Sequence, residues 1–399
     1  MTTLISLEFY KMSHKKSFYI GLALVLCFCT AIYISRVDPF GSRLRIRDRD
    51  GVLISGREAV ELEKEQALQY RGALTDETVW KMYCGLMKEQ TSEQDNMVQE
   101  TSRSYPQQVL EQFFLPYTAR EIIVNGERQT EAAGGTLEKD DLIKIDDWFP
   151  ESVQPLEFGY SVPWSRMLQS LLAGMFVLNL FMIIVVSPLF AEEHTKRMNA
   201  ILFTSKYGRK KCFFAKAAAA FLIGLLSALG IILLHVLVTL ALFGGEGLSC
   251  SIQLTEPFIF QWVPYAKTVG AVLIDAICLY IADILLTLSM TVLASVLATH
   301  VLTAAVYSLV LFWVPGFLMG ASSGPQLRWM FPVARTTHFE MVLQLPHWNI
   351  GFVTIQYSHV ITGVFLAFCV FIIWGAWKLY AKMPEEGFGK LTDYNNRNS

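Results

Sequence analysis

Two carboxylates stand where an apolar helix has little reason to carry them. Asp275 and Asp283 lie inside the run 266–298, which is otherwise rich in Leu, Val, Ile and Ala. An acid at the centre of a membrane helix costs about 2.5–3.5 kcal/mol on the insertion scale, so it needs a partner or a task. Eight residues separate the two acids, about two turns or about 12 Å, on broadly one side of the helix. Facing an aqueous path, they carry a cation or a proton. Facing a packed bundle, they bond neighbouring Ser, Thr or backbone groups and lock the helices together. His235 lies in another apolar run. It reads as a packed histidine, with proton transfer as the second reading.

A richer polar group fills residues 190–211, between two apolar runs. Glu192 and Glu193 open it, and every later charge as far as Lys216 is positive. Lys and Arg in a short loop between spans hold that loop in the cytoplasm. Met198, Ile201 and Leu202 fall at i, i+3 and i+4, one face of a short helix. Such a face is too apolar for a solvated linker and gives burial against a partner. Glu193, Lys196 and Arg197 beside it give register and partner choice. Glu192 and Glu193 at the start of the helix favour its dipole. The plainer reading is a loop that only fixes orientation.

Reaction chemistry is harder to find. G-x-S-x-G and H-E-x-x-H are absent. Neither membrane acid has the Gly-x-Gly-Asp context of an intramembrane aspartyl protease. The tail segment Gly387-Phe388-Gly389-Lys390-Leu391-Thr392 lacks the spacing of a phosphate-binding loop, and no strand precedes it. The expectation is a chain with no catalytic, metal or cofactor site and no ATPase of its own.

The elements that position these residues follow from composition. The chain has 399 residues, 53% hydrophobic and 17% charged, the profile of an integral membrane protein. A net charge of −2 gives no basic surface for nucleic acid. Residues 1–16 interleave Leu4, Ile5, Leu7, Phe9 and Met12 with charges and read as an amphipathic helix on the cytoplasmic membrane surface. Residues 17–34 form a first span, a retained anchor rather than a signal peptide, because no small-x-small cleavage site precedes the charged segment. Apolar runs at about 166–190, 212–243, 266–298, 301–320 and 356–380 are each long enough to cross about 30 Å of hydrocarbon. Alternation places the segment 191–211 and both termini inside, with 35–165, 244–265 and 321–355 outside.

The segment 35–165 is different material, long enough for a small core of its own. Thr75-Asp76-Glu77 caps a helix whose apolar face is Val79, Met82, Tyr83 and Leu86. Asn125-Gly126 reads as a tight turn. Cys84 and Cys250 are the two cysteines expected outside, and a disulfide between them is geometrically open. Prolines at 325, 332 and 346 break any long helix in 321–355, and Trp329, Phe331, His347 and Trp348 suit a membrane interface or a re-entrant segment. The fold class expected is an α-helical polytopic membrane protein of six transmembrane helices, with an extracellular α/β or mainly helical domain between spans 1 and 2.

This arrangement resembles the permease subunits of ABC exporters of the ABC-2 type, in the branch with a large external domain between the first two spans. The local match is Phe190-x-x-Glu193, Ile201-Leu202-x-Thr204-Ser205, Tyr207-Gly208-Arg209 and then Lys216, with Glu8, Lys11 and Lys16-Ser17-Phe18 near the start. Arg197 or Met198 stands where a glycine is often found in that family. The resemblance implies that the helix between spans 2 and 3 is a coupling helix docked in a cleft of a separate ATPase. Glu192, Glu193, Lys196, Arg197, Met198, Ile201, Leu202, Gly208 and Arg209 would then carry ATPase coupling. Two permease chains, as homodimer or heterodimer, and two ATPase subunits would make the working unit in a bacterial cytoplasmic or other plasma membrane. ATP and Mg would sit on the partner. The cargo expected is amphipathic or hydrophobic: a peptide, an antimicrobial or a lipid-like molecule. Two alternatives remain. One is a sodium or proton exporter of the same architecture using Asp275, Asp283 and His235. The other is a membrane-anchored receptor whose external domain binds a ligand.

Overall fold

The computed structural model describes residues 1–47, 52–91, 102–116, 119, 137–196, 198, 209–255, 266–322, 347–350 and 353–382. Helix α1 covers Thr2–Ser13 and α2 covers Lys16–Val37. After them come β1 (Arg45–Arg47), β2 (Leu53–Ser55), α3 (Arg57–Leu68), β3 (Gly72–Ala73), α4 (Asp76–Thr91), α5 (Tyr105–Val109) and β4 (Glu157–Phe158). The long apolar helices follow: α6 (Val162–Val186), its continuation α7 (Pro188–Thr195), α8 (Lys210–Phe243), α9 (Val269–Leu297) and α10 (Val301–Ser322). The hairpin β5 (His347–Ile350) and β6 (Val353–Gln356) precedes α11 (Tyr357–Lys382).

Among the described residues, five helices are long and apolar enough to cross a membrane: Lys16–Val37, Val162–Thr195, Lys210–Phe243, Val269–Leu297 and Ser358–Lys382. This is the pattern of a multi-pass α-helical membrane protein. The sixth expected span falls on α10, Val301–Ser322, of which Val301–Trp313 is the apolar part among the residues whose side chains are described. Large apolar side chains lie exposed along these helices, including Leu24 and Phe28 on α2, Leu226 and Leu233 on α8, and Val370 and Phe371 on α11. Water would not tolerate so much contiguous apolar surface, whereas lipid does. Hydroxyls inside the apolar helices bond back to the carbonyl four residues earlier, as Thr30 to Leu26, Thr291 to Thr287, Ser308 to Ala304 and Thr362 to Ser358. That keeps each hydroxyl satisfied without water.

The chain divides into two compact units. The first contains residues 1–32, 170–235 and 275–399. In it α9 and α11 share a core of Leu279, Ala282, Leu286, Ile361, Phe365 and Cys369. Gly174 on α6 lets Cys29 approach: a Cβ there would stand 3.0 Å from its sulfur. Gly21 on α2 does the same for the Phe181 ring, whose edge occupies the place a Cβ would need.

The second unit contains residues 33–169 and 236–274, so the inserted segment and the 244–268 connection share one compact body. Among its described residues are helices α3, α4 and α5 and two small antiparallel pairs, β1 with β2 and β3 with β4. Thr75 caps α4 by accepting from the Thr78 amide at 3.3 Å, and Val79, Met82, Tyr83 and Leu86 are all buried, as the sequence predicts. Tyr105 stacks on Phe158 and donates to the Leu254 carbonyl at 2.8 Å. Ser251 accepts from the Glu157 amide through its hydroxyl, and its own amide donates to the Glu157 carbonyl. Cys84 and Cys250 are both free thiols, so the open disulfide is not formed. Burial pushes the Cys250 thiol up to about 12. The Asn125-Gly126 turn and Trp329 and Phe331 lie outside the described residues.

Candidate functional site

The polar end of the first unit is built around a helix that should have broken. Pro188 has no amide hydrogen, and α6 pauses at Ser187 before α7 resumes with the proline in its first turn. A new helix start leaves amides without intrahelical acceptors. Ser295 of α9 supplies the remedy. Its hydroxyl oxygen accepts from the Phe190 amide at 2.9 Å and the Ala191 amide at 3.2 Å, and its hydrogen goes to the Ser187 carbonyl at 2.8 Å. Ser295 is fully buried, so no water competes. The helical stretch therefore runs on to Thr195 and carries Glu192 and Glu193 with it. The expected boundary between span 2 and the polar loop, at 190/191, falls inside this helix.

Glu193 turns inward, 7% exposed, and pairs with the ammonium of Lys216 on α8, which is completely buried. Lys216 also donates to the Leu189 carbonyl at 3.2 Å and lies 5.2 Å from the centroid of the Phe190 ring. Phe190, Phe213 and Tyr380 pack around it with ring centroids 5.2–5.6 Å apart. Three helices, α7, α8 and α11, are thus locked at one charged point inside an aromatic shell. A carboxylate and an ammonium removed from water need this geometry, because each alone carries a desolvation penalty of several kcal/mol. The sequence singles out both residues but gives no sign that they meet.

Glu192, next to it on α7, is half-exposed and shared by two lysines, Lys15 at 3.3 Å and Lys196 at 2.6 Å. Arg209 donates to the Ala381 carbonyl at the end of α11, at 3.2 Å. Met198 is exposed. Arg197, Ile201, Leu202, Gly208 and the matched Thr204, Ser205 and Tyr207 lie outside the described residues. Of the expected coupling set, Glu192, Lys196 and Met198 thus cluster with α1, while Glu193 faces the protein interior.

The membrane acids meet different helices. Asp283 is buried and accepts from the Asn179 amide group of α6 at 2.8 Å. Asp275, half-buried near the start of α9, lies 3.2 Å from Nε2 of His359 near the start of α11. His235 is buried, with Nδ1 2.9 Å from the Ile231 carbonyl of its own helix. Each of these contacts ties polar groups into the bundle. Among the described residues no group of three or more His, Cys, Asp or Glu could hold a metal ion.

No family model matches the chain, and neither curated proteins nor solved structures provide a match.

Proposed function

We propose that this chain is the permease subunit of an ATP-driven exporter of the ABC-2 type, moving an amphipathic or hydrophobic substrate outward. The observation that carries the reading is the cation-rich segment after α7. It links two span-length helices and presents Met198 to its surroundings, in a sequence without a phosphate-binding loop. The locked point at Glu193 and Lys216 supports it physically. Force applied to the segment after α7 passes into α8 through the buried Glu193–Lys216 pair and into α11 through the Phe190–Tyr380 ring contact.

In this reading the segment docks in a separate ATPase, which holds ATP and Mg. Two permease chains and two ATPase subunits form the assembly in the plasma membrane, with both termini cytoplasmic and the segments 35–165, 244–265 and 321–355 outside. The test is purification of the full-length chain from its own membranes. An ATPase chain should accompany it, and Met198→Glu should release that chain, because a carboxylate cannot be buried in an apolar cleft without a partner. Retention of the complex by Met198→Glu would remove the docking role.

A cation exporter of the same architecture is the second reading, favoured by Asp283 buried at mid-helix against Asn179. The double substitution Asp275→Asn with Asp283→Asn abolishes transport in that case. Full transport by the double variant excludes it.

A further inference from the structure

A cavity of about 240 Å³ lies between α1 and the junction of α6 and α7, wholly within the first unit. Its floor is apolar: Met12, Val185, Pro188 and Leu189. Its rim carries three ammonium groups, Lys11, Lys15 and Lys196. All three side chains are about half exposed, so their charges stand at the mouth rather than in the core.

The local charge does not close. Glu193 also lines the cavity, but Lys216 behind it already neutralises it. What remains is three lysines against Glu8 and Glu192, one positive charge in excess. Glu192 is the point of shortage, since its two oxygens serve Lys15 and Lys196 separately. Lys11 has only a loose contact with Glu8, at 3.8 Å. A singly charged anion at the mouth would balance the group.

The surroundings point to an amphiphile. The neighbouring Ile184 on α6 is exposed, as are Leu4, Leu7 and Tyr10 on the outer side of α1 and Tyr19 and Ile20 at the start of α2. Surface helices with an apolar side of this kind lie at the boundary between headgroups and acyl chains. The cavity has room for a glycerophosphate headgroup, and acyl chains would leave it along the exposed apolar side chains. We propose that this cavity binds the phosphodiester headgroup of an anionic phospholipid, held by Lys11, Lys15 and Lys196 over the Met12–Leu189 floor. The bound lipid fastens α1 to the α6–α7 junction. The site shares Glu192, Lys196 and Met198 with the expected coupling set, but lipid retention is read on this chain alone and needs no ATPase partner.

The test uses the full-length protein in a neutral detergent, with lipid adducts read by native mass spectrometry and thermal unfolding measured in parallel. Phosphatidylglycerol should be retained and should raise the unfolding temperature, while phosphatidylcholine and uncharged diacylglycerol should do neither. Lys15→Gln with Lys196→Gln should weaken phosphatidylglycerol retention by about tenfold or more, because charge-assisted contacts are lost. Glu192→Gln, which frees both lysines without removing a cation, should strengthen it. Equal retention of phosphatidylglycerol and phosphatidylcholine would overturn the proposal. So would retention unaffected by the lysine substitutions and by Glu192→Gln. Full competition by millimolar inorganic phosphate would assign the cavity to a soluble anion instead.

Discussion

Lys216→Met is the sharpest perturbation of the polar end. Methionine keeps the length of the stem and its contact with the Phe190 ring but removes the charge. It leaves the Glu193 carboxylate, 7% exposed, without its ammonium, and takes a donor from the Leu189 carbonyl. Removing one partner of a buried pair costs about 3–5 kcal/mol, because the other charge stays buried. The loss should appear as a clear drop in the unfolding temperature of the first unit, which holds both residues. The companion Glu193→Gln should be nearly as damaging. The double variant should recover much of the loss, since an amide opposite a thioether strands no charge. Thermal unfolding of the four proteins in one detergent closes the cycle. A Lys216→Met protein within about 1 kcal/mol of the parent, or a double variant no better than the worse single one, would refute the buried lock.

Three further outcomes follow from the same contacts. Ser295→Ala should cost about 1–3 kcal/mol, the penalty for buried backbone groups left without partners at the Pro188 break, and Ser295→Thr should cost less; unfolding in detergent measures both. Gly21→Ala should destabilise by about 1–3 kcal/mol because its Cβ strikes the Phe181 ring, and Phe181→Leu should relieve it. Burial raises the pKa of Asp38, but hydrogen bonds from the Arg43 and Ser42 amides and the Ser42 hydroxyl, with the Arg43 charge, outweigh it and hold the carboxyl below its ordinary value. Its stabilising contribution is therefore complete above the unfolded carboxyl's pKa and fades as pH falls through the lower folded one. Asp38→Asn should flatten the acid limb of a stability–pH profile.

Hydropathy locates the long helices because lipid demands a continuous apolar run, a signal of length and composition alone. The face of α4 is equally legible, since Thr75 marks the cap and Val79, Met82, Tyr83 and Leu86 keep helical spacing. The α6–α7 junction is not. The residue that repairs the break at Pro188, Ser295, is more than a hundred positions away, and one hydroxyl in a span carries no distinguishing pattern. Glu193 and Lys216 each stand out for local reasons, the acid as a partner-facing charge and the lysine as part of a motif. Their pairing depends on how α7 and α8 pack, which periodicity does not encode. For the same reason Asp275 and Asp283 share a side of α9 by spacing yet meet His359 on α11 and Asn179 on α6.

The central claim is that the segment after α7 seats a separate ATPase. A photo-crosslinking amino acid in place of Met198, activated in native membranes, tests it directly. Met198 also lines the proposed lipid cavity, so a lipid adduct is expected beside it; the account predicts in addition an adduct joining this chain to a nucleotide-binding partner, with a yield that changes when ATP is added. Crosslinking only to lipid or to a second copy of this chain, at a yield indifferent to ATP, would contradict it.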